Sequence, residues 1–137
     1  MGRILLLAAC LLPIGVLTPI LEIGSTHVFN PDWPGHARLH EVWQLIVHAL
    51  MVGLALWLAL ARQQIRLASL LGLLINAAFL ASVALSPLYG GTMRHSDGSE
   101  IAIWNVNVAV IIMALATAGT LWLTLKSTST PCPATKM

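Results

Sequence analysis

The sequence predicts an all-α integral membrane protein built as one four-helix bundle. Hydrophobic residues make up 58% of the 137 residues and charged residues only 9%, which is too little polar surface to cover a soluble domain. Four apolar runs are long enough to cross a hydrocarbon core, which takes about 20 helical residues. All carboxylates and histidines of the side chains lie in or beside the two loops at one end of this bundle.

The predicted spans follow one another through short connections. They cover about residues 4–23, 42–61, 67–86 and 101–125. Pro13 and Pro19 are expected to kink the first span, because proline lacks the backbone N–H that a helix interior uses. Residues 1–126 are assigned to a single four-span transmembrane domain. Residues 127–137, which are rich in Ser, Thr and Pro, are assigned to a disordered cytoplasmic tail.

Basic residues predict the orientation. Cytoplasmic loops of membrane proteins carry an excess of Lys and Arg. Only Arg38 and Arg94 lie at the His-rich and acid-rich end, whereas the other basic residues lie at the opposite end: Arg3, Arg62, Arg66, Lys126 and Lys136. Both termini are therefore expected in the cytoplasm, and the His-rich loops are expected outside. The net charge of +2 gives no reason to expect a nucleic-acid partner.

A weak internal repeat suggests two like-oriented helical hairpins. Residues 17–21 (LTPIL) resemble residues 85–89 (LSPLY), and Glu41 and His48 share the seven-residue spacing of Glu100 and Asn107. Parallel repeats of this kind commonly form a polar site at their mutual interface. Chance similarity between apolar segments is the alternative.

Residues 27–48 contain most of the side chains that could take part in catalysis or metal binding. A helix is expected from about Gly35, and 100° per residue then places His36, His40, Gln44 and His48 on one slowly drifting stripe. Glu41 falls on the same broad face. His48 lies inside an apolar span, where an unpaired polar group is costly in lipid, so it is expected to face the bundle interior. His27 and His95 are expected to be solvated loop residues.

Other polar residues are placed to meet this stripe from neighbouring spans. Glu22 ends the first span and Asn76 lies near the middle of the third. In the fourth span, Glu100, Trp104 and Asn107 are expected to share one helical face, since their spacings are four and three. Ionisable groups within a membrane are functional candidates by default.

The first of three hypotheses is a metal site. His36, His40, His48 and Glu41 are its candidate ligands, and Zn, Fe or Cu is the candidate ion. His36 and His40 have the i, i+4 spacing of helical ligands. His36 and His48 are about 18 Å apart along one continuous helix, so the three histidines cannot bind a single ion together unless the helix begins late. A site of His40 with Glu41 and His48, or of His36 with His40 and a carboxylate from another span, is geometrically easier.

The second hypothesis is acid–base catalysis without a metal. Glu41 and His48 would act with Glu22 or Glu100, and Gln44, Trp104, Asn107 and Asn76 are the candidate cofactor-binding or ligand-binding residues. The sequence has no Gly-x-Ser-x-Gly motif and no phosphate-binding glycine loop. The third hypothesis is structural, in which the polar residues stabilise the bundle through interhelical hydrogen bonds.

These observations favour a membrane enzyme of oxidoreductase or isomerase type, metal-dependent or metal-free, that acts on a lipophilic substrate at its outer side. The alternative is a protein that binds or transports lipid or another small molecule, or that serves in assembly. Membrane lipid and a lipophilic small molecule are the expected partners, and the sequence leaves homo-oligomerisation open.

The topology is tested by cysteine labelling. In a variant without the native cysteines, Ser96→Cys should react with a membrane-impermeant maleimide in intact cells, whereas Gln64→Cys should react only after the membrane is broken. The reversed pattern would show that the His-rich loops face the cytoplasm.

Overall fold

The computed structural model describes residues 1–95 and 97–127 of the chain. Within them, four helices are long and apolar enough to cross a membrane: α1 (Gly2–Glu22), α2 (Gly35–Leu60), α3 (Ile65–Tyr89) and α4 (Val108–Lys126). The prediction of four helices long and apolar enough to span a membrane is therefore confirmed, as is the start of α2 at Gly35. Apart from Ser127, the predicted disordered tail lies outside the described residues.

Helix α1 continues through both of its prolines. Gly2–Leu12 and Thr18–Glu22 are α-helical, and Pro13–Leu17 between them form a π-helical turn. In a regular α-helix the ring of Pro19 would collide with the carbonyl of Gly15, four residues earlier. The wider turn, in which the Thr18 amide donates to the Pro13 carbonyl, accommodates the proline without ending the helix.

The best-packed part of the core lies at the end of the bundle opposite to the His-rich loops. Helix α3 packs between α2 and α4, and α1 contacts all three other helices. The main cluster of buried apolar side chains comes from the start of α1, the end of α2, the start of α3 and the end of α4: Leu7, Leu11, Ala55, Leu58, Ala59, Ala68 and Leu123. The His-rich end is held together more by polar contacts than by such a core.

Asn76 joins α3 to α1 in the middle of the bundle. Its side chain is fully buried, and its Nδ2 donates to the Cys10 carbonyl at 3.2 Å. Such amide-to-backbone bonds stabilise helix pairs in a medium that offers no competing water. This contact supports a structural role for Asn76.

The fourth helix begins later than predicted. Ala102–Ile103 (β1) and Val106–Asn107 (β2) form a short antiparallel hairpin, and α4 begins only at Val108. Trp104 and Asn105 form the turn with φ angles of 49° and 63°, the positive values that a tight type I′ turn requires. The prediction that Glu100, Trp104 and Asn107 share a helical face is therefore wrong.

The predicted repeat finds no support in the local structure of the described residues. Helix α1 contains a π-helical turn, whereas α3 is α-helical up to Tyr89 and keeps Pro87 inside it. The connection after α1 consists of turns, and the connection after α3 contains the β-hairpin. The two halves resemble each other only in having two antiparallel helices each.

Close packing of α1 against α4 gives a stability prediction. A Cβ atom at Gly119 would lie 2.5 Å from Sγ of Cys10, whereas a Cβ at Gly53 would meet no atom within 4 Å. Gly119→Ala should therefore destabilise the protein by about 1–3 kcal/mol through overpacking. Gly53→Ala is the matched control and should be neutral or stabilising, because alanine favours the helix.

The melting temperature of each variant in the same detergent checks this prediction. Equal melting temperatures for Gly119→Ala and Gly53→Ala would contradict the close approach of α1 and α4.

Candidate functional site

His27 connects the two polar loops of the bundle. Its ring lies edge-on to Trp33, with centroids 5.4 Å apart, and edge-on to His95, with centroids 5.2 Å apart. His27 and Trp33 belong to the loop between α1 and α2, and His95 belongs to the segment between α3 and α4. Both loops therefore meet at the same end of the bundle, as their position in the sequence predicts.

Both nitrogens of the His27 ring contact polar groups. Nε2 lies 3.1 Å from Oε2 of Glu22, and the two side chains are only 17% and 24% exposed. Nδ1 lies 3.0 Å from Oγ1 of Thr26. A carboxylate, an imidazole and a hydroxyl are thus arranged in series at the end of α1. We call Glu22, Thr26 and His27 the loop triad.

The fold of the first loop holds this triad in place. Asn30 is 2% exposed; its Oδ1 accepts from the Asp32 amide at 2.9 Å, and its Nδ2 donates to the Thr26 carbonyl at 3.2 Å. The Val28 amide donates to the carbonyl of Glu22 at 3.1 Å, which closes the chain around His27. The side-chain turn at Asn30 fixes the backbone on both sides of the triad.

Burial lowers the pKa of His27 from its ordinary value, and the neighbouring His95 lowers it further. His27 is therefore neutral at pH 7. If its Nε2 carries the proton and donates to Glu22, its Nδ1 is an acceptor facing the Thr26 hydroxyl.

A second carboxylate lies close to the triad. Glu41, on the second turn of α2, is half-buried, and its charge is near enough to repel that of Glu22. Of the predicted catalytic residues, Glu22 and Glu41 lie near enough to interact electrostatically.

His48 and Glu100, the other predicted catalytic residues, lie in different surroundings. His48 is half-buried and lies about two helical turns further along α2 than Glu41. Its Nδ1 has no hydrogen-bond partner among the described residues. Glu100 accepts from Nδ2 of Asn107 at 3.2 Å and lies 3.5 Å from Nε of Arg94. Glu100 therefore fixes the β-hairpin to the start of α4.

The residues predicted to bind a cofactor do not form one group. Gln44 is exposed on α2, and Trp104 is 93% exposed in the hairpin turn. Asn107 caps α4, where its Oδ1 accepts from the Ala109 amide at 2.9 Å. Asn76 is buried in the middle of the bundle.

The predicted metal ligands are brought together only in part. Nε2 of His36 and Nε2 of His40 are 3.0 Å apart on the exposed face of α2. Among the described residues, no group of three or more His, Cys, Asp or Glu side chains is arranged to hold a metal ion. His48 and Glu41 therefore do not complete a site with His36 and His40.

A small cavity lies at the same end of the bundle. Its volume is about 180 Å³, and its walls combine apolar side chains with hydroxyl groups from the end of α3 and the segment after it: Phe79, Ser82, Val83, Ser86, Tyr89, Gly91, Thr92 and Met93. The Tyr89 hydroxyl donates to the Ser82 carbonyl at 2.8 Å. Met93 is two residues before His95, so one loop contributes to both the cavity and the surroundings of His27.

No protein family, curated protein or solved structure matches the chain.

Sequence reasoning missed His27, Thr26 and His95 as site residues. A signal was present, because His27 follows Glu22 after a short segment that contains Gly24 and Ser25, residues that favour a turn back toward the helix end. The regular spacing of His36, His40 and His48 describes positions on one helix and carries no information on this turn.

The lowered pKa of His27 predicts a specific titration behaviour. In the unfolded chain His27 binds a proton near pH 6.5, and in the folded chain it does so only at lower pH. The contribution of neutral His27 to stability is therefore complete above pH 6.5. It should be lost as the pH falls through the folded pKa. In NMR spectra of protein with 13C-labelled histidines, the His27 resonance is identified as the one that is missing from the His27→Gln variant. This resonance should titrate below pH 6.5.

His95→Ala should move this titration upward only in part, because burial is the larger cause. Titration of His27 at or above pH 6.5 in the parent protein would contradict the assignment.

Proposed function

We propose that the protein is a membrane enzyme that catalyses proton transfer on a lipophilic substrate, of isomerase type, with the loop triad as its acid–base centre. The observation that supports this most directly is the position of the His27 ring, with Glu22 at 3.1 Å and Thr26 at 3.0 Å. These are contact distances at which a proton can be passed between side chains.

The roles follow from the chemistry of the three groups. Neutral His27 is the base, since its lowered pKa leaves it unprotonated at pH 7. Glu22 orients the ring and stabilises the imidazolium that forms, as a carboxylate does beside a catalytic histidine. The Thr26 hydroxyl passes the proton, giving its own to Nδ1 as it accepts one from the substrate. Return of that proton to another substrate atom completes an isomerisation with no net change in protons or electrons.

Glu41 would stabilise the charge that develops on the substrate during proton transfer. A proton abstracted next to a carbonyl or a double bond leaves negative charge on the substrate, and a protonated carboxyl group can donate to it. Conversely, a substrate that becomes positively charged is attracted by the Glu22 and Glu41 carboxylates, which repel each other. Both cases use the second carboxylate next to the triad.

The surroundings of the triad suit a lipophilic substrate. The triad lies at the end of a membrane-spanning helix, so an apolar molecule can approach from the bilayer while its reactive group stays at the polar boundary. The cavity of about 180 Å³ beside Met93 can hold a fragment of such a molecule, although it is smaller than the pockets of about 300–1,000 Å³ that enclose whole ligands. The charge bias of the loops supports an outward-facing site.

Exchange of hydrogen with solvent tests the proposal without knowledge of the substrate. Protein in nanodiscs of lipid from its own membrane is incubated in D2O, and the extracted lipids are analysed by mass spectrometry. The parent should introduce deuterium into one lipophilic species, because the abstracted proton is replaced from solvent. His27→Gln and Glu22→Gln should lower the rate by about 10²–10⁴-fold.

Asp32→Asn is the matched control, because Asp32 is an exposed acidic residue of the same loop outside the triad, and it should label like the parent. Equal labelling by His27→Gln and the parent would contradict the assignment of the base. If a lipophilic molecule copurifies with the parent but acquires no deuterium, the protein is a binding protein rather than an isomerase.

A further inference from the structure

We infer that His36 and His40 form a surface site for a divalent transition-metal ion, of which copper(II) is the favoured one. The two residues lie on the first turns of α2 and are exposed. This site shares no residue with the loop triad, and its existence does not depend on the proposed proton transfer.

The distance between the two ring nitrogens matches that of two ligands on one ion. Nitrogens about 2.0–2.1 Å from a common metal are about 2.9 Å apart at a 90° angle and about 3.4 Å apart at a tetrahedral angle. Nε2 of His36 and Nε2 of His40 are 3.0 Å apart. They can therefore bind one ion at neighbouring positions with little movement of either ring.

The rings also have suitable chemistry and orientation. Their planes are nearly perpendicular, with centroids 4.4 Å apart, and in the metal-free pair one Nε2 donates its hydrogen to the other. When a metal binds, the donating ring adopts its other tautomer, with the proton on Nδ1. Both Nε2 lone pairs then face the ion, and no net proton is lost.

Copper(II) is favoured for two reasons. It lies at the top of the affinity order for divalent first-row ions and accepts imidazole at tetragonal positions. The 3.0 Å separation is also closer to the value for a 90° angle than to the tetrahedral value. The remaining coordination positions face solvent, where water or an external ligand can occupy them, so two protein ligands are sufficient for a weak, open site.

Trp43 provides a built-in reporter. Its ring centroid is 5.7 Å from that of His40, so copper(II) bound to the His40 ring would lie near the indole and quench its fluorescence. Trp43→Phe should remove the copper-dependent part of the quenching while leaving the binding heat unchanged. This readout distinguishes binding at the histidine pair from binding elsewhere on the protein.

The test is calorimetric titration of untagged protein in nanodiscs with copper(II) chloride, in a Cys132→Ser background. This removes the thiol of the C-terminal segment, and the remaining thiol, Cys10, is buried. The parent should bind one equivalent, and His36→Ala or His40→Ala should lose that binding. The matched control combines His40→Ala with Arg38→His. It keeps the number of histidines but places the second ring two residues from His36, on another side of the helix, and it should not restore binding.

Circular dichroism verifies that each variant keeps its helical content. Parent protein that binds no more copper than His36→Ala would overturn the site. Restored binding in the control variant would equally overturn the argument, since binding would then not depend on the i, i+4 geometry. A zinc titration ranks the two ions, and a clear preference for zinc would overturn the assignment to copper.

Discussion

The hydrocarbon core of a membrane offers no hydrogen-bond partner to the backbone, and the rest of this structure depends on that constraint. Every N–H and C=O within the bilayer must be bonded inside the chain, which is why the four apolar runs are helical. The constraint also explains how the prolines of α1 are tolerated. The π-helical turn at Pro13–Leu17 redirects the backbone bonds around Pro19 instead of breaking the span.

The same constraint places the closely packed apolar side chains and the ionisable side chains at opposite ends of the bundle. At one end, small and apolar side chains such as Ala55, Ala59 and Ala68 bring the helices close together. At the other end, the carboxylates and all histidines except His48 lie in loops, on the first two turns of α2 or on the last turn of α1, where their charges can reach water. A chemical centre can therefore form only at the polar end, where precise contacts come from hydrogen bonds such as those of Asn30.

Much of the fold could be predicted from the sequence, because span length and composition are strong signals. The helix start at Gly35 and the turn at Asn30 also follow from local chemistry. The start of α4 could not be placed in the same way, since residues 101–106 are apolar enough to continue a helix. Their alternating β-branched residues and the Asn107 cap favour a hairpin instead.

The candidate site was harder to predict than the fold. The position of Glu22 at a helix end followed from the sequence, but its contact with His27 depends on how a turn closes. Periodicity describes residues on one helix, as it did for His36 and His40, which do meet. It gives no information on contacts between a helix end and a loop, or between two loops, and His27 makes both kinds.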